Sequence, residues 1–244
     1  MYKRSGLHTL ILVIFLMTSI NTPGQVRFSL AMGYGSYAMD DLKEIQEAIN
    51  QTGIVDLQSL ISFPPYYQYE GGMHYDFKND FMTGLLVGYG STGAHSNYSD
   101  YSGSITSDQL INYTSLTLSL GFVANPHKKW QFSLDLRPAV YFNALQLTFD
   151  QQIGTEKIHE EYDFKSRNIT LQPTGMINRK FGAFGIHASV GFSINLKGGK
   201  LALTDNKDSY LINSSSDPAI ADWSGFRLGM GINYSFSSKA MITK

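Results

Sequence analysis

The sequence predicts an all-β fold: an eight-stranded antiparallel up-and-down transmembrane β-barrel with long extracellular loops and a short helix in the first loop. Apolar residues alternate with small polar residues through most of the chain, and short turns alternate with long polar connections. Only 16% of the 244 residues are charged, whereas 13% are aromatic. Short turns at one end and longer loops at the other are typical of barrels that span membranes.

Charge and composition exclude several classes of function. The formal net charge of −1 gives no electrostatic basis for binding nucleic acid. The chain has no cysteine, so it forms no disulfide, no thiolate metal site and no cysteine nucleophile. Its many aromatic and few charged residues also argue against a disordered chain.

Residues 1–25 are predicted to be a secretory signal peptide. Lys3 and Arg4 precede an apolar run, 9–20, which has the length of a signal core. A membrane-spanning helix needs about 20 apolar residues, so an uncleaved anchor is the weaker alternative. We expect cleavage near residues 24–25 and, from the barrel pattern that follows, a location in the bacterial outer membrane.

Eight strands follow from the alternation of apolar and polar residues. The last is the clearest, since Phe226, Leu228 and Met230 begin a face that alternates with Arg227 and glycines. The strands lie near 26–38, 66–77, 81–92, 110–124, 130–149, 163–179, 183–196 and 223–236. An even number of strands places both ends of the barrel domain, 26–236, on the periplasmic side, and 237–244 form a short C-terminal tail.

Turns and loops of two kinds alternate between these strands. Short turns are predicted at 78–80, 125–129 and 180–182, and long polar loops at 39–65, 93–109, 150–162 and 197–222.

The first long loop carries the predicted helix, 39–50. Leu42, Ile45 and Ile49 form one apolar stripe, and Asp40 and Asp41 suit a helix N-terminus. Such a helix either caps the barrel mouth, lies at the membrane interface or packs on its own loop. The sequence does not choose among these positions.

Two features of the fifth and sixth strands depart from regular alternation. The apolar residues change face at Leu145, Leu147 and Phe149, which predicts a β-bulge. Pro138 and Pro173 lie inside strands and cannot donate to the ladder, so they predict local distortion.

The polar face of the strands decides between a membrane barrel and a soluble one. It consists mainly of glycine, serine and threonine, as at Thr117, Ser119 and Gly121. A surface in water would carry lysine and glutamate, whereas the tight lumen of eight strands suits small side chains. The polar face is therefore predicted to line the lumen and the apolar face to contact lipid. A soluble, periplasmic lipocalin-like carrier with the opposite facing is the alternative.

Aromatic residues gather near the short-turn end, mostly on the apolar face. They predict an aromatic girdle at one membrane interface, formed by Phe28, Phe77, Phe81, Phe122, Trp130, Phe184, Tyr234 and Phe236. Tyr67, Tyr89 and Trp223 are candidates for the opposite interface.

The few charges within strands fall on the lumen face. Because charges in a low-dielectric lumen persist only when paired or hydrated, they predict an interior network. Glu70 and Asp135 are its expected acceptors, Arg137 and Arg227 are its expected donors, and His187 shares their face. A structural plug of ion pairs is the favoured interpretation, and a gate or narrow ion path is the alternative.

On these features the chain resembles the small outer-membrane β-barrels, the OmpA/OmpX-like group. The resemblance covers 26–236 and consists of the signal peptide, the alternating strands, the glycine-rich lumen face and the aromatic final strand. Members of that group usually end on an aromatic residue that the assembly machinery reads, whereas Phe236 here is followed by 237–244. The resemblance implies outer-membrane lipid and lipopolysaccharide as partners, and a protein partner at the surface loops or in an outer-membrane complex.

Motifs that suggest chemistry have structural explanations here. Residues 88–93 match the G-x-G-x-x-G pattern, but a polar loop follows instead of the helix that a dinucleotide site needs. The histidines are dispersed, which argues against a metal site. His187 and Ser189 share a face, and Asp135 is a candidate to orient the histidine. The resemblance to outer-membrane barrels, some of which modify lipid A, makes a lipid A-modifying hydrolase an alternative. No catalytic residue, cofactor site or metal site is therefore predicted.

The predicted function is non-enzymatic. A filled lumen leaves the surface loops, chiefly 39–65, 93–109 and 197–222, to carry interactions. Adhesion, envelope integrity and an accessory role in an outer-membrane complex all fit this arrangement. A narrow ion or solute channel, a lipid A-modifying enzyme and the soluble carrier are the alternatives.

Overall fold

The computed structural model describes residues 24–52, 58–77, 80–101 and 103–236. The predicted signal peptide lies outside these residues except for Gly24 and Gln25, and the C-terminal tail 237–244 lies outside them entirely. Those two assignments therefore stay predictions. Within the described ranges, no helix has the length and apolar character needed to cross a membrane.

Eight antiparallel strands close into a ring. In chain order the described elements are β1 (Gln25–Gly35), α1 (Asp40–Thr52), β2 (Gln58–Ser62), β3 (Tyr66–Asp76), β4 (Phe81–Ser99), β5 (Gly103–Ala124), β6 (Trp130–Ile153), β7 (Glu156–Phe181), β8 (Phe184–Lys197), β9 (Ala202–Leu203) and β10 (Gly225–Phe236). The ring runs β1, β3, β4, β5, β6, β7, β8, β10 and closes where β10 pairs with β1. This confirms the predicted eight-stranded barrel.

Alternation along each strand determines which side chains face outward. In β10, Phe226 and Met230 are 61% and 64% exposed, whereas Arg227 and Asn233 are 2% and 4% exposed. An outward surface of this apolar composition lies against lipid, because soluble proteins do not expose patches of that size. Apolar side chains on the outside and polar side chains inside confirm the transmembrane barrel. A soluble carrier would have the reverse arrangement.

Four strands are much longer than predicted, and two of the predicted loops are wrong. β4 and β5 stay paired up to Ser99 opposite Ser104, and β6 and β7 up to Ile153 opposite Glu156. Most of the predicted loops 93–109 and 150–162 is therefore strand. Beyond the membrane no lipid imposes an apolar outer face, so polar strand residues resemble a loop in sequence. Since 9–11 residues suffice to span a membrane, these strands form a wall that projects outside it.

The predicted β-bulge in β6 is also wrong. β5 and β6 keep one register here, with Asn112 opposite Ala144 and Ile111 opposite Leu145. Leu145 faces inward and is 1% exposed. The apolar residues change face because the interior itself becomes apolar toward the extracellular end.

The two strand prolines interrupt pairing as predicted. The ladder between β5 and β6 skips Arg137 and Pro138, and the ladder between β7 and β8 skips Gln172 and Pro173. Each ladder resumes in the same register, because proline removes one donor without adding a residue.

A mouth plug closes the extracellular end of the lumen; we use this name for α1 together with the loop 198–224. Met39 and Leu42 are fully buried, so the helix caps the mouth, one of its three possible positions. The N–H of Met39 donates to the carbonyl of Asp222 at 3.1 Å, and Asp41 Oδ2 accepts from the N–H of Ile220 at 2.8 Å. The helix is thus attached to the last loop.

The buried apolar core lies between the mouth plug and the strands around it. Its members are Met39, Leu42, Ile45, Phe63, Tyr66, Ala94, Ile111, Tyr113, Ala139, Tyr141, Leu145, Phe164, Leu201, Ala219, Ala221 and Trp223. The interior of the barrel is therefore polar near its periplasmic end and apolar near its extracellular end.

Candidate functional site

Three of the predicted lumen residues meet in one cluster, which we call the Arg137 cluster. Arg137 Nη1 lies 3.0 Å from Glu70 Oε1, and Arg137 Nη2 lies 3.1 Å from Asp135 Oδ2. Ser119 Oγ donates to the same Asp135 oxygen at 3.3 Å. The side chains of Arg137 and Asp135 are 6% and 0% exposed, so the charges compensate each other away from bulk water.

Arg227 lies outside this cluster. Its guanidinium donates to the carbonyl oxygens of Ser36 and Trp223 and lies 5.2 Å from the centre of the Tyr66 ring. It therefore joins the barrel wall to the mouth plug through backbone acceptors, where carboxylate acceptors had been expected.

His187 has a different neighbour from the one that a hydrolase requires. Its Nδ1 lies 3.5 Å from Nδ2 of Asn233. Among the described residues no hydrogen bond joins His187 to Ser189 or Asp135, and the Asp135 carboxylate is engaged by Arg137. A nucleophile and base within hydrogen-bond reach are thus not formed here.

A second, partly buried ion pair contains Arg27, which the sequence reasoning had not placed in the lumen. Arg27 Nη2 in β1 lies 3.0 Å from Asp76 Oδ1 in β3 and 3.3 Å from the sulfur of Met82. Arg27 precedes the outward Phe28, so the strict alternation of β1 was the signal that could have identified it.

The lumen between the Arg137 cluster and the mouth plug is almost filled. A cavity of about 30 Å³ lies there, lined by residues that include Gln68, Tyr113 and Arg227. This volume holds about two water molecules. It is too small to form the middle of an open solute path.

Trp223 belongs to the mouth plug, and its predicted place at the outer interface is wrong. It is fully buried, with its ring 4.6 Å from Tyr113 and 5.1 Å from Tyr66, centre to centre. Its Nε1–H donates to Asn143 Oδ1 at 2.9 Å. Trp223 shares the inward face of Arg227, which places it in the interior.

The residues proposed for the aromatic girdle lie at the short-turn end. Ring centres are paired across strands at 5.5 Å for Phe28 and Phe236, 5.5 Å for Phe81 and Phe122, and 4.9 Å for Phe184 and Tyr234. Phe77 lies 5.6 Å from Phe81, and Trp130 lies 5.1 Å from the guanidinium of Arg179. Tyr67 and Tyr89 are exposed toward the other end.

Above the mouth plug lies an apolar pocket of about 610 Å³, the mouth pocket, which no sequence motif had indicated. Its floor is α1, and its wall is the inner face of β5, β6 and β7 where they project outside the membrane. The lining comprises Ile45, Ala48, Ile49, Ile105, Ser107, Leu147, Thr148, Phe149, Glu160, Tyr162, Ile212, Asn213 and Ser214. This size and apolar lining are typical of ligand-binding pockets.

The rim of the mouth pocket is acidic. Tyr162 Oη donates to Glu160 Oε2 at 3.2 Å, and Ser214 Oγ donates to Glu44 Oε2 at 2.6 Å. α1 carries four acidic residues and one lysine. The pocket therefore combines an apolar interior with a negative border.

Beside the pocket, the hairpin of β6 and β7 carries a histidine–carboxylate pair. His159 Nδ1 lies 2.6 Å from Asp150 Oδ1, and His159 Nε2 lies 3.9 Å from Glu161 Oε2. The hydrogen bond to Asp150, followed by its charge, raises the pKa of His159 above its ordinary value. Because the raised pKa belongs to the folded state, the pairing stabilises this hairpin at acidic pH and is lost as pH rises through the folded-state pKa.

Replacement of Asp150 with asparagine is expected to lower the pKa of His159 toward its ordinary value. The carboxylate that favours the imidazolium is then absent. NMR titration of the histidine ring signals would measure the shift, and Glu161→Gln is the control because its oxygen is 3.9 Å away. An unchanged titration in Asp150→Asn, or a larger shift in the control, would contradict the assignment.

The closed ring and its outward apolar surface define an outer-membrane β-barrel. Neither the known protein families nor the curated proteins contain a match to this sequence. Among solved structures, the chain is similar to Neisserial surface protein A (NspA), with 11% identity over 88% of this chain and 98% of that one and a TM-score of 0.40. It is also similar to Ail, the attachment invasion locus protein of Yersinia pestis, with 12% identity over 87% of this chain and 99% of that one and a TM-score of 0.38. A major outer membrane protein from Thermus thermophilus is similar with 10% identity over 86% of this chain and 99% of that one and a TM-score of 0.43.

Proposed function

We propose that this outer-membrane barrel is a non-enzymatic recognition protein that binds a protein partner at its mouth pocket. One observation carries the proposal: an apolar pocket of about 610 Å³ opens outward on a barrel whose lumen narrows, below the mouth plug, to a cavity of about 30 Å³. Because this section of the lumen is narrow and the mouth plug closes its extracellular end, the extracellular surface is the part of the barrel that meets other molecules. Adhesion to another protein, or association with an outer-membrane complex as an accessory subunit, would use such a pocket.

The partner that fits the mouth pocket is a positively charged segment with an apolar anchor residue. Ile105, Phe149 and Ile212 offer an apolar surface to the anchor. Glu160 lines the same pocket, and Glu44 borders it through Ser214. Complementary charge at such a rim increases association rates and selects against acidic partners.

The wall of the pocket is suited to recognition because it is already paired. β6 and β7 form a continuous ladder from Trp130 opposite Arg179 to Ile153 opposite Glu156. Binding on such a wall costs little ordering entropy, in contrast to binding by a flexible loop. The interaction surface therefore includes strands at positions where the sequence had predicted loops, together with the predicted helix and part of the last loop.

A pair of synthetic peptides would test this proposal. One carries a Leu-Phe anchor flanked by lysines, and the other carries the same anchor flanked by glutamates. The lysine peptide is expected to shift the methyl NMR signals of Ile105 and Ile212 in the solubilised barrel, and the glutamate peptide is not.

The variant Phe149→Ser/Ile212→Ser is expected to weaken binding of the lysine peptide about tenfold or more, because it removes the apolar contact. Ile153→Ser is the matched control, since Ile153 is exposed on the same hairpin without lining the pocket. Equal binding of both peptides, or equal losses in variant and control, would argue against this function.

A further inference from the structure

Four basic side chains lie exposed on the outside of the barrel along β7, β8 and the start of the last loop. Lys165 and Arg167 are two residues apart on the outward face of β7, and Lys197 ends β8. Lys200 follows in the loop, with its Nζ 5.1 Å from the centre of the Tyr210 ring. We call these four residues the basic cluster.

Adjacent strands bring the basic cluster together. Lys197 pairs with Ile169, the outward residue next to Arg167 on β7. Gly199 then passes so close to the backbone of Arg167 that no side chain fits between them. Neighbouring strands lie about 4.8 Å apart, so these positive charges share one small area.

The basic cluster lies at the outer edge of the apolar belt. Phe181 lies at the periplasmic end of β7. Along the lipid-facing side of β7, from Phe181 toward the extracellular end, Ile169 is the last apolar residue and Arg167 is the next residue on that side. At about 3.3 Å per residue and a tilt of roughly 40°, the segment from Phe181 to Ile169 spans on the order of 30 Å, the thickness of a membrane core. Arg167 also lies 5.1 Å from the ring centre of Phe142, an outward residue of β6.

The basic cluster forms no ion pair within the part of the chain that the structure describes. Among the described residues, no carboxylate oxygen lies within 4.0 Å of any of the four basic groups. The barrel has a different composition on its other side, where Tyr34 and Tyr67 are exposed with ring centres 5.9 Å apart. The cluster is therefore a one-sided feature of the outer rim.

We propose that the basic cluster binds the phosphate groups of an anionic glycolipid of the outer leaflet, the lipid A portion of lipopolysaccharide. Arg167 presents a guanidinium that bonds two phosphate oxygens, and Lys165 and Lys197 supply point charges beside it. Exposed Phe142 beside Arg167, and exposed Ile169 and Leu196 on the membrane side of it, contact the acyl chains. This site is separate from the mouth pocket and does not depend on the function proposed for it.

Native mass spectrometry of the detergent-solubilised barrel would test the lipid site. The probes are bisphosphorylated lipid A and the same lipid without phosphates. The wild-type barrel is expected to retain the bisphosphorylated form preferentially. The variant Lys165→Gln/Arg167→Gln/Lys197→Gln is expected to bind it on the order of 100-fold more weakly, since each cation near a membrane surface contributes about fivefold.

A charge-matched variant separates this site from general electrostatic attraction. Lys128→Gln/Lys129→Gln/Lys157→Gln removes three exposed charges elsewhere and should keep wild-type retention. Folding of each variant is checked by its gel shift on boiling, and Lys165→Glu alone provides a second, milder test. Equal loss in both triple variants, equal retention of the two lipids, or displacement of lipid A by millimolar inorganic phosphate would overturn the proposal.

Discussion

Arg137→Met is expected to destabilise the folded barrel by about 3–5 kcal/mol. Arg137 is the shared partner of two carboxylates, at 3.0 Å from Glu70 and 3.1 Å from Asp135. The Asp135 side chain is fully buried, so loss of the guanidinium leaves a negative charge that water does not reach. Breaking a buried pair on one side costs more than the pair itself contributes, because the remaining ion stays desolvated.

Equilibrium unfolding in urea, with the barrel reconstituted in lipid vesicles, would measure this change. Arg179→Met is the matched control, because Arg179 faces outward and stacks on Trp130 and Phe181 at 5.1 Å and 5.0 Å. We expect the control to cost less than about 1 kcal/mol. Adding Glu70→Gln and Asp135→Asn to Arg137→Met should recover much of the loss, since no uncompensated charge remains. A loss that persists in this neutral triple variant would assign the effect to packing.

The membrane-spanning part of the fold could be predicted because the two faces of each strand lie in different environments. Lipid on one side and a narrow lumen on the other force a period of two, which Phe226 and Arg227 show at neighbouring positions. The same rule places Glu70, Asp135 and Arg137 inside. It does not specify which donor meets which acceptor, because that depends on the depth of each residue in the ring.

The extracellular half could not be predicted in the same way. Beyond the membrane the outer face of a strand meets water, so β4 and β5 continue to Ser99 and from Gly103 with polar residues that resemble a loop. Leu145 keeps the strand register while the interior changes from polar to apolar. A change of face along a sequence therefore indicates either a bulge or a change of environment, and only the neighbouring strands distinguish them.

The mouth pocket is built from segments far apart in the chain. Ile45 comes from α1, Ile105 from β5, Phe149 from β6, Tyr162 from β7 and Ile212 from the last loop. No short motif marks such a site. The position of α1, which the sequence left open, is fixed by contacts with residues more than 170 positions away, as between Asp41 and Ile220.

Trp223→Ala is expected to destabilise the mouth plug by about 3–5 kcal/mol, the usual range for removing a buried tryptophan. The indole is fully buried and packs against Tyr37, Tyr66 and Tyr113. Its N–H also occupies the Oδ1 acceptor of Asn143. Because the same plug forms the floor of the mouth pocket, the variant should also lose binding of the lysine peptide.

Hydrogen exchange of the barrel would measure the loss within the mouth plug, and it should rise in α1 and the loop 198–224 while the membrane strands stay protected. Trp223→Phe keeps an aromatic ring and leaves Asn143 without this donor, so it should cost about 1–3 kcal/mol. Trp130→Ala removes a lipid-facing tryptophan that is 48% exposed and should leave exchange in the plug unchanged. Wild-type exchange in Trp223→Ala would show that Trp223 does not hold the plug. Increased exchange throughout the strands would instead show that plug and barrel unfold together.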